Sequence, residues 1–273
     1  MCVALVAAST AAPLHAQRRL DVPFVPTNQL TVEAMLRIAN VGPNDFVIDL
    51  GSGDGRILIT AARLYGARGF GVDLDPQRVK ESIENAKAAG VADRVQFFQR
   101  NLFDTKVSEA SVVTMYLLPR VNLELRPRLL AELKPGTRVV SHDFDMGDWQ
   151  ADLRVNVRGP GSEIYFWIIP ARTAGRWQVQ APALRGAQAF EIEIKQKYQE
   201  IEATVRGLDR AVSVRDARLE GERIAFTLVD EGDFAHRLRF EGRVSGDAME
   251  GAARGDGTAQ RVEQKWRASR LLP

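Results

Sequence analysis

Sulfur and imidazole are scarce in this chain. Its only cysteine is Cys2, which leaves no disulfide, no cysteine-rich zinc site and no thiol nucleophile for the folded body. The three histidines, His15, His142 and His236, show no ligand-pair spacing, so no metal site is expected. Lys and Arg form no block and the net charge is only +2, so charge gives no reason to expect a nucleic-acid partner. Past the N-terminal stretch, no apolar run approaches the length of a membrane span. What remains is an ordinary globular composition, 45% hydrophobic and 26% charged. At 273 residues it has room for one large domain, or a medium and a small one.

Residues 1–20 read as a signal-like leader. An apolar run closes in Leu14-His15-Ala16, followed by Gln17 and two arginines, which resembles the core and cleavage site of a secretory signal. The positive segment that should precede it is missing. Export to the periplasm is therefore one reading, and a disordered apolar tail on a cytoplasmic protein the other.

Residues 21–171 alternate strand and helix patterns. "FVIDL" is a short, unalternating apolar run, as a strand covered on both faces should be, and "GFGVDLD", "RVQFFQRNLF", "SVVTMYLL" and "TRVVSHDF" read as four further strands. Helical periodicity separates most of them. A further helix is expected behind Thr31 as N-cap, and another over "NLELRPRLLAEL". The pattern predicts a mostly parallel, Rossmann-like α/β sheet ending in an antiparallel hairpin, "DLRVNV" with "EIYFWIIP". From residue 172 to 273 the period drops to two, with glycines between short runs such as "FEIEI", "IEATV", "IAFTL" and "RLRFEG". Roughly eight strands in a small antiparallel barrel or sandwich are expected there. The barrel would either hold a small ligand or fill its own core.

After the first strand, glycine recurs at every second position: Gly51, Gly53 and Gly55. A dinucleotide fingerprint would need a further glycine where Arg56 stands. Asp49 and Asp54 flank the loop, and carboxylates beside a diphosphate would repel it. They suit a ligand with positive charge and no phosphate, such as S-adenosylmethionine. Asp73, 22 residues after Gly51, ends the second strand where an acid can take both ribose hydroxyls.

On these residues the chain resembles the class I, seven-strand methyltransferases. The motifs are "PFVPT" (23–27), "DLGSGDGRI" (49–57), "GVDLDP" (71–76), "NLF" (101–103), "VVTMYLLP" (112–119) and "LKPGTRVVSHDF" (133–144). Within that class it is most similar to the archaeal broad-specificity and the mitochondrial protein-lysine methyltransferases. The resemblance implies that Pro26 and Thr27 close over S-adenosylmethionine. It implies too that Asp49, Gly51, Gly53 and Asp54 line the methionyl part, Asp73 the ribose, and Asn101, Leu102 and Phe103 the adenine. Many relatives carry Asp where Asn101 stands.

On the acceptor side, an apolar and aromatic wall is expected at Tyr116, Leu117 and Leu118, with Asn122 beyond and His142 on the same rim; Tyr116, Asn122 and His142 are the catalytic candidates. Tyr116 also reads as sheet core, and His142 as a structural histidine. "YLLP" replaces the Asn/Asp-Pro-Pro-Tyr/Phe of adenine-amine methyltransferases, which argues against a nucleobase amine. The expected acceptor is a protein lysine. The alternatives are a small-molecule N- or O-methyltransferase, or a non-catalytic binding protein that works through its barrel.

Overall fold

The computed structural model describes residues 24–157, 162–181, 189–208, 211–234, 236–255 and 263–271. The leader expected at residues 1–20 lies outside the described residues, as does most of the "RGPGS" turn, residues 158–161.

Helix α1 (Gln29–Ile38) opens the described chain. Its cap is Asn28, not Thr31: the Asn28 side chain accepts from the Thr31 amide at 3.0 Å. Thr31 is buried one turn inside, because only the residue before the helix has the extended backbone a cap needs. Asn28→Ala is expected to lower unfolding free energy by ~1 kcal/mol, read by urea denaturation.

The first sheet follows the alternation in the sequence. Strands β1 (Phe46–Leu50), β2 (Arg68–Asp73), β3 (Val95–Gln99), β4 (Val112–Met115) and β5 (Arg138–His142) are parallel. They alternate with α2 (Arg56–Tyr65), α3 (Pro76–Ala88) and α4 (Pro119–Glu132). The hairpin β6 (Leu153–Asn156) and β7 (Glu163–Ile168) adds at the β5 edge, giving the order β3-β2-β1-β4-β5-β7-β6. Strand β4 is shorter and α4 longer than the sequence pattern suggests. Pro119 holds Leu118 extended and supplies a ready-made first helical residue, so the helix starts there. Since β1 pairs with both β2 and β4, the chain reverses direction across the sheet at β1, which opens a crevice at the carboxyl ends of these strands.

The second sheet has eight strands: β8 (Gly175–Gln180), β9 (Ala189–Lys197), β10 (Glu200–Arg206), β11 (Val212–Glu220), β12 (Arg223–Asp230), β13 (Arg237–Ser245), β14 (Ala248–Gly255) and β15 (Gln264–Arg270). Sequential antiparallel pairing makes a meander, and β15 returns to pair with β8. The barrel is nearly closed. Among the described residues the one seam without a ladder lies between β10 and β11.

Aromatic side chains fill its interior. Phe226 stacks on Phe240 at 4.8 Å, and the fully buried Trp266 meets Phe240 edge-on at 5.6 Å. A Cβ on Gly242 would stand 2.6 Å from the Trp266 ring, so the bare pair Gly242–Gly251 is what admits the indole. Of the two expectations for the barrel, the described residues favour a packed core over a ligand cavity. Strand β14 escapes sequence reading because it is built of small residues. Strand β11 escapes it because a register shift between Arg215 and Arg218 breaks its alternation.

The two sheets share a buried seam. Trp149 is fully buried, donates its indole N–H to Gln199 Oε1 at 2.8 Å and stacks on Tyr198.

Candidate functional site

The glycine turn closes back on β2. The amides of Gly51 and Ser52 both donate to the Val72 carbonyl at 2.9 Å, and the Gly53 amide donates to Asp73 Oδ2 at 2.9 Å. The other Asp73 oxygen accepts from the Asp75 amide at 2.9 Å. Asp73 thus ties the turn to the entrance of α3 and still has one lone pair free on each oxygen. At Gly53 the backbone is left-handed, and a Cβ would stand 2.5 Å from the Phe24 ring. At Gly55 a Cβ would meet Phe97 and Ser82 instead. The first of these glycines lets a strap lie over the turn, and the second seats α2 against the sheet.

Residues 24–27 form that strap. Phe24 covers Gly53 and carries the Arg78 guanidinium 4.4 Å from its ring centre. Arg56 donates to the Thr27 carbonyl at 2.7 Å, and the Thr27 hydroxyl hydrogen-bonds His142 Nδ1 at 3.1 Å. Beneath the strap lies a cleft. Pro26, Thr27, Gly51, Gly53, Asp54, Asp73, Leu102 and Tyr116, all expected at a site, line it together. Arg56, Arg78 and Arg100 line it too; the sequence suggests a place there only for the helix N-terminus at Arg56, and for none of the three guanidinium groups.

Six of the catalytic and cofactor candidates stand outside the lining. Asp49 lies beneath the turn, wholly buried. Its Oδ1 accepts from the Thr114 hydroxyl at 2.7 Å, while Oδ2 has no partner. Burial pushes its carboxyl up to about 7, and the negative charges of Asp73 and Asp54 add to the rise. Gly55 serves packing. The Asn101 side chain accepts from the Phe103 amide at 2.9 Å and caps the 3₁₀ turn Leu102–Asp104. Asn101 and Phe103 therefore shape the turn that carries Leu102 into the cleft. Asn122, fully buried, donates its amide to Ser141 Oγ and to the carbonyls of Phe144 and Asp145, between 3.1 and 3.2 Å. That places it behind the rim as a clamp on the β5–β6 connection, because three acceptors converge on one NH₂. His142, the sixth, is buried behind Thr27 and Tyr116.

Asp54 differs from the expectation in charge. Arg56 grips it through two nitrogens, which holds its carboxyl below the usual carboxylate range despite partial burial. Its charge is largely spent within the protein. Of the three acids expected around the loop and strand end, Asp73 and, one layer down, Asp49 are left to face a ligand.

On the far side of the cleft the Tyr116 ring lies 4.0 Å from the His142 ring and stacks toward Phe144 at 6.2 Å. Tyr116 donates its hydroxyl to Asp143 Oδ2 at 3.3 Å. Burial first, then the Asp143 charge, raises the Tyr116 phenol, so it stays protonated at neutral pH. Among the described residues, no group of three His, Cys, Asp or Glu side chains is placed to hold a metal.

The model of the ANTKMT methyltransferase domain matches residues 49–153. A protein-lysine N-methyltransferase of Saccharolobus islandicus (strain REY15A) is 43% identical over 151 residues, spanning 54% of this chain and 94% of that protein. The adenine nucleotide translocase lysine N-methyltransferase of Mus musculus is 34% identical over 145 residues, 53% of this chain and 62% of that protein. The solved structure of an RNA methyltransferase from Salinibacter ruber in complex with S-adenosyl-L-homocysteine is 54% identical. It superimposes with a TM-score of 0.53 over 55% of this chain and 96% of its own. All three leave more than a third of this chain unmatched.

Proposed function

We propose that this chain, which belongs to the seven-strand S-adenosylmethionine-dependent methyltransferases of the protein-lysine branch, methylates a lysine side chain of another protein. The donor, S-adenosyl-L-methionine, supplies a methyl group on a positively charged sulfur. The cleft fits such a ligand. A buried carboxylate oxygen of Asp49 and the Ser52 hydroxyl lack partners beside a turn of bare backbone.

In this reading Asp73 takes the ribose hydroxyls with its two free lone pairs, and Leu102 lies along the adenine. Pro26 and Thr27 roof the methionyl part over Gly51 and Gly53. Asp49 answers the sulfonium charge from below. Arg56 latches the roof by joining Asp54 to the Thr27 carbonyl. Losing that latch in Arg56→Ala should weaken donor binding about tenfold by calorimetry, since one charged hydrogen bond to the strap disappears.

The observation that carries the lysine reading is the wall of Tyr116, His142 and Phe144 at the strand ends beside the cleft. Such a wall excludes water and favours the neutral amine over the ammonium, and a lysine must become neutral before its nitrogen has a lone pair to offer. The solved relative described as an RNA methyltransferase motivates the competing acceptor. Against it, two of the three arginines at the cleft are already engaged, Arg56 by Asp54 and Arg78 by Glu81 and Phe24. Incubation with a methyl-labelled donor and a mixture of lysine peptides, RNA and small amines separates the acceptors. Methyl-lysine in the hydrolysate is the expected product, and label confined to RNA or to small molecules refutes the reading.

A further inference from the structure

Asp143 is the first residue after β5, and the sequence gives it no role of its own. Its backbone is left-handed, φ 61°, a conformation that Asp and Asn tolerate better than other side chains. Both its main chain and one carboxylate oxygen are fixed to the start of β7. The Asp143 amide donates to the Glu163 carbonyl at 2.7 Å, and Oδ1 accepts from the Glu163 amide at 3.0 Å. The second oxygen, Oδ2, is thereby aimed at the Tyr116 hydroxyl, 3.3 Å away, on the side chain that lines the donor cleft.

Its charge environment differs from that of two other half-buried acids. Asp45 is paired with Arg138, and Asp54 with Arg56. No lysine or arginine among the described residues stands within ion-pair distance of Asp143. Its one ionic neighbour among them is His142 Nε2 at 3.8 Å, which is a cation only when protonated. This carboxylate, with 14% of its side chain exposed, has no permanent counter-charge within the protein, and a cation arriving from outside would supply one. The aromatic wall admits one that is narrow and apolar along its stem, with the charge at its tip.

We propose that Asp143 is the acceptor-docking residue: its carboxylate, with the Tyr116 hydroxyl beside it, receives the ammonium of the incoming side chain and so selects amines that arrive charged. The inference rests on the lysine reading and deepens it.

The test is Asp143→Asn, which suits the left-handed backbone and keeps an acceptor for the Glu163 amide. With a lysine peptide, KM should rise at least tenfold while kcat changes less than threefold. Wild-type KM should rise with ionic strength, as expected for a charge-steered acceptor, and in Asp143→Asn that dependence should vanish. Donor affinity by calorimetry should stay within twofold. A role limited to holding β5 to β7 would shift melting temperature and donor affinity and leave the salt dependence in place. An active wild type with an indifferent Asp143→Asn overturns this inference alone. A wild type that methylates no lysine peptide overturns the lysine reading and this inference with it.

Discussion

Asp73→Ala is expected to weaken S-adenosylmethionine and S-adenosylhomocysteine alike by about a hundredfold. Two effects add. Loss of a carboxylate that accepts both ribose hydroxyls costs about 2 kcal/mol, as charged hydrogen bonds do. The same carboxylate holds the Gly53 amide and the Asp75 amide. Without it the turn under the methionyl part loses its anchor, adding roughly 1 kcal/mol for the amide left unpaired. Together these make ~3 kcal/mol, or about two decades in Kd. Because neither contact senses the sulfur charge, donor and product should suffer equally. Asp73→Asn, which keeps one acceptor oxygen, should fall between. Calorimetry with both ligands decides: an alanine variant that binds within threefold of wild type removes Asp73 from the ribose.

Donor affinity is expected to climb about tenfold per pH unit from pH 5 to pH 7 and then level off, while product affinity stays flat. The cause is Asp49, whose carboxyl burial pushes up to about 7. Below that pH the ligand-free protein holds Asp49 protonated. A positively charged sulfur nearby favours the carboxylate, so binding must release a proton, and that release becomes easier by ~1.4 kcal/mol per unit as pH rises. Above pH 7 the proton is already gone. S-Adenosylhomocysteine has a neutral sulfur and releases none. The protein would thus distinguish donor from product by charge, and best above neutrality.

The same shift has a sign for stability. The native state holds a proton that the unfolded chain has lost above about pH 4, so this group's contribution falls as pH rises from about 4 to about 7. Asp49→Asn should therefore melt higher than wild type at pH 8 while losing the pH dependence of donor binding. Counting protons by titration in buffers of different ionisation enthalpy tests the mechanism. Parallel pH profiles for donor and product would rule it out.

Much of this molecule follows from short stretches read alone. Five short apolar runs, most of them separated by helices, specify the parallel sheet, because a strand and an amphipathic helix carry different periods in a few residues. The glycines at 51, 53 and 55 announce a turn no side chain can follow, a requirement local to each backbone. Placing an acid at the end of β2 is equally local, since "GVDLD" ends a strand by its own pattern.

Tertiary packing decided what those residues do. Asp49 and Asp54 look alike in sequence, yet one is sunk beneath the turn beside Thr114 and the other is neutralised by Arg56. Asn122 became a clamp when β5 and the connection after it brought three acceptors to it. Arg56 sits where a dinucleotide motif would have glycine, and its role as a latch needs Thr27, 29 residues upstream. Trp149 went into the seam once Gln199 and Tyr198 arrived from the second sheet. Burial and counter-charge are properties of space, set by segments remote along the chain, and they govern whether a carboxylate meets a ligand, a neighbour or nothing at all.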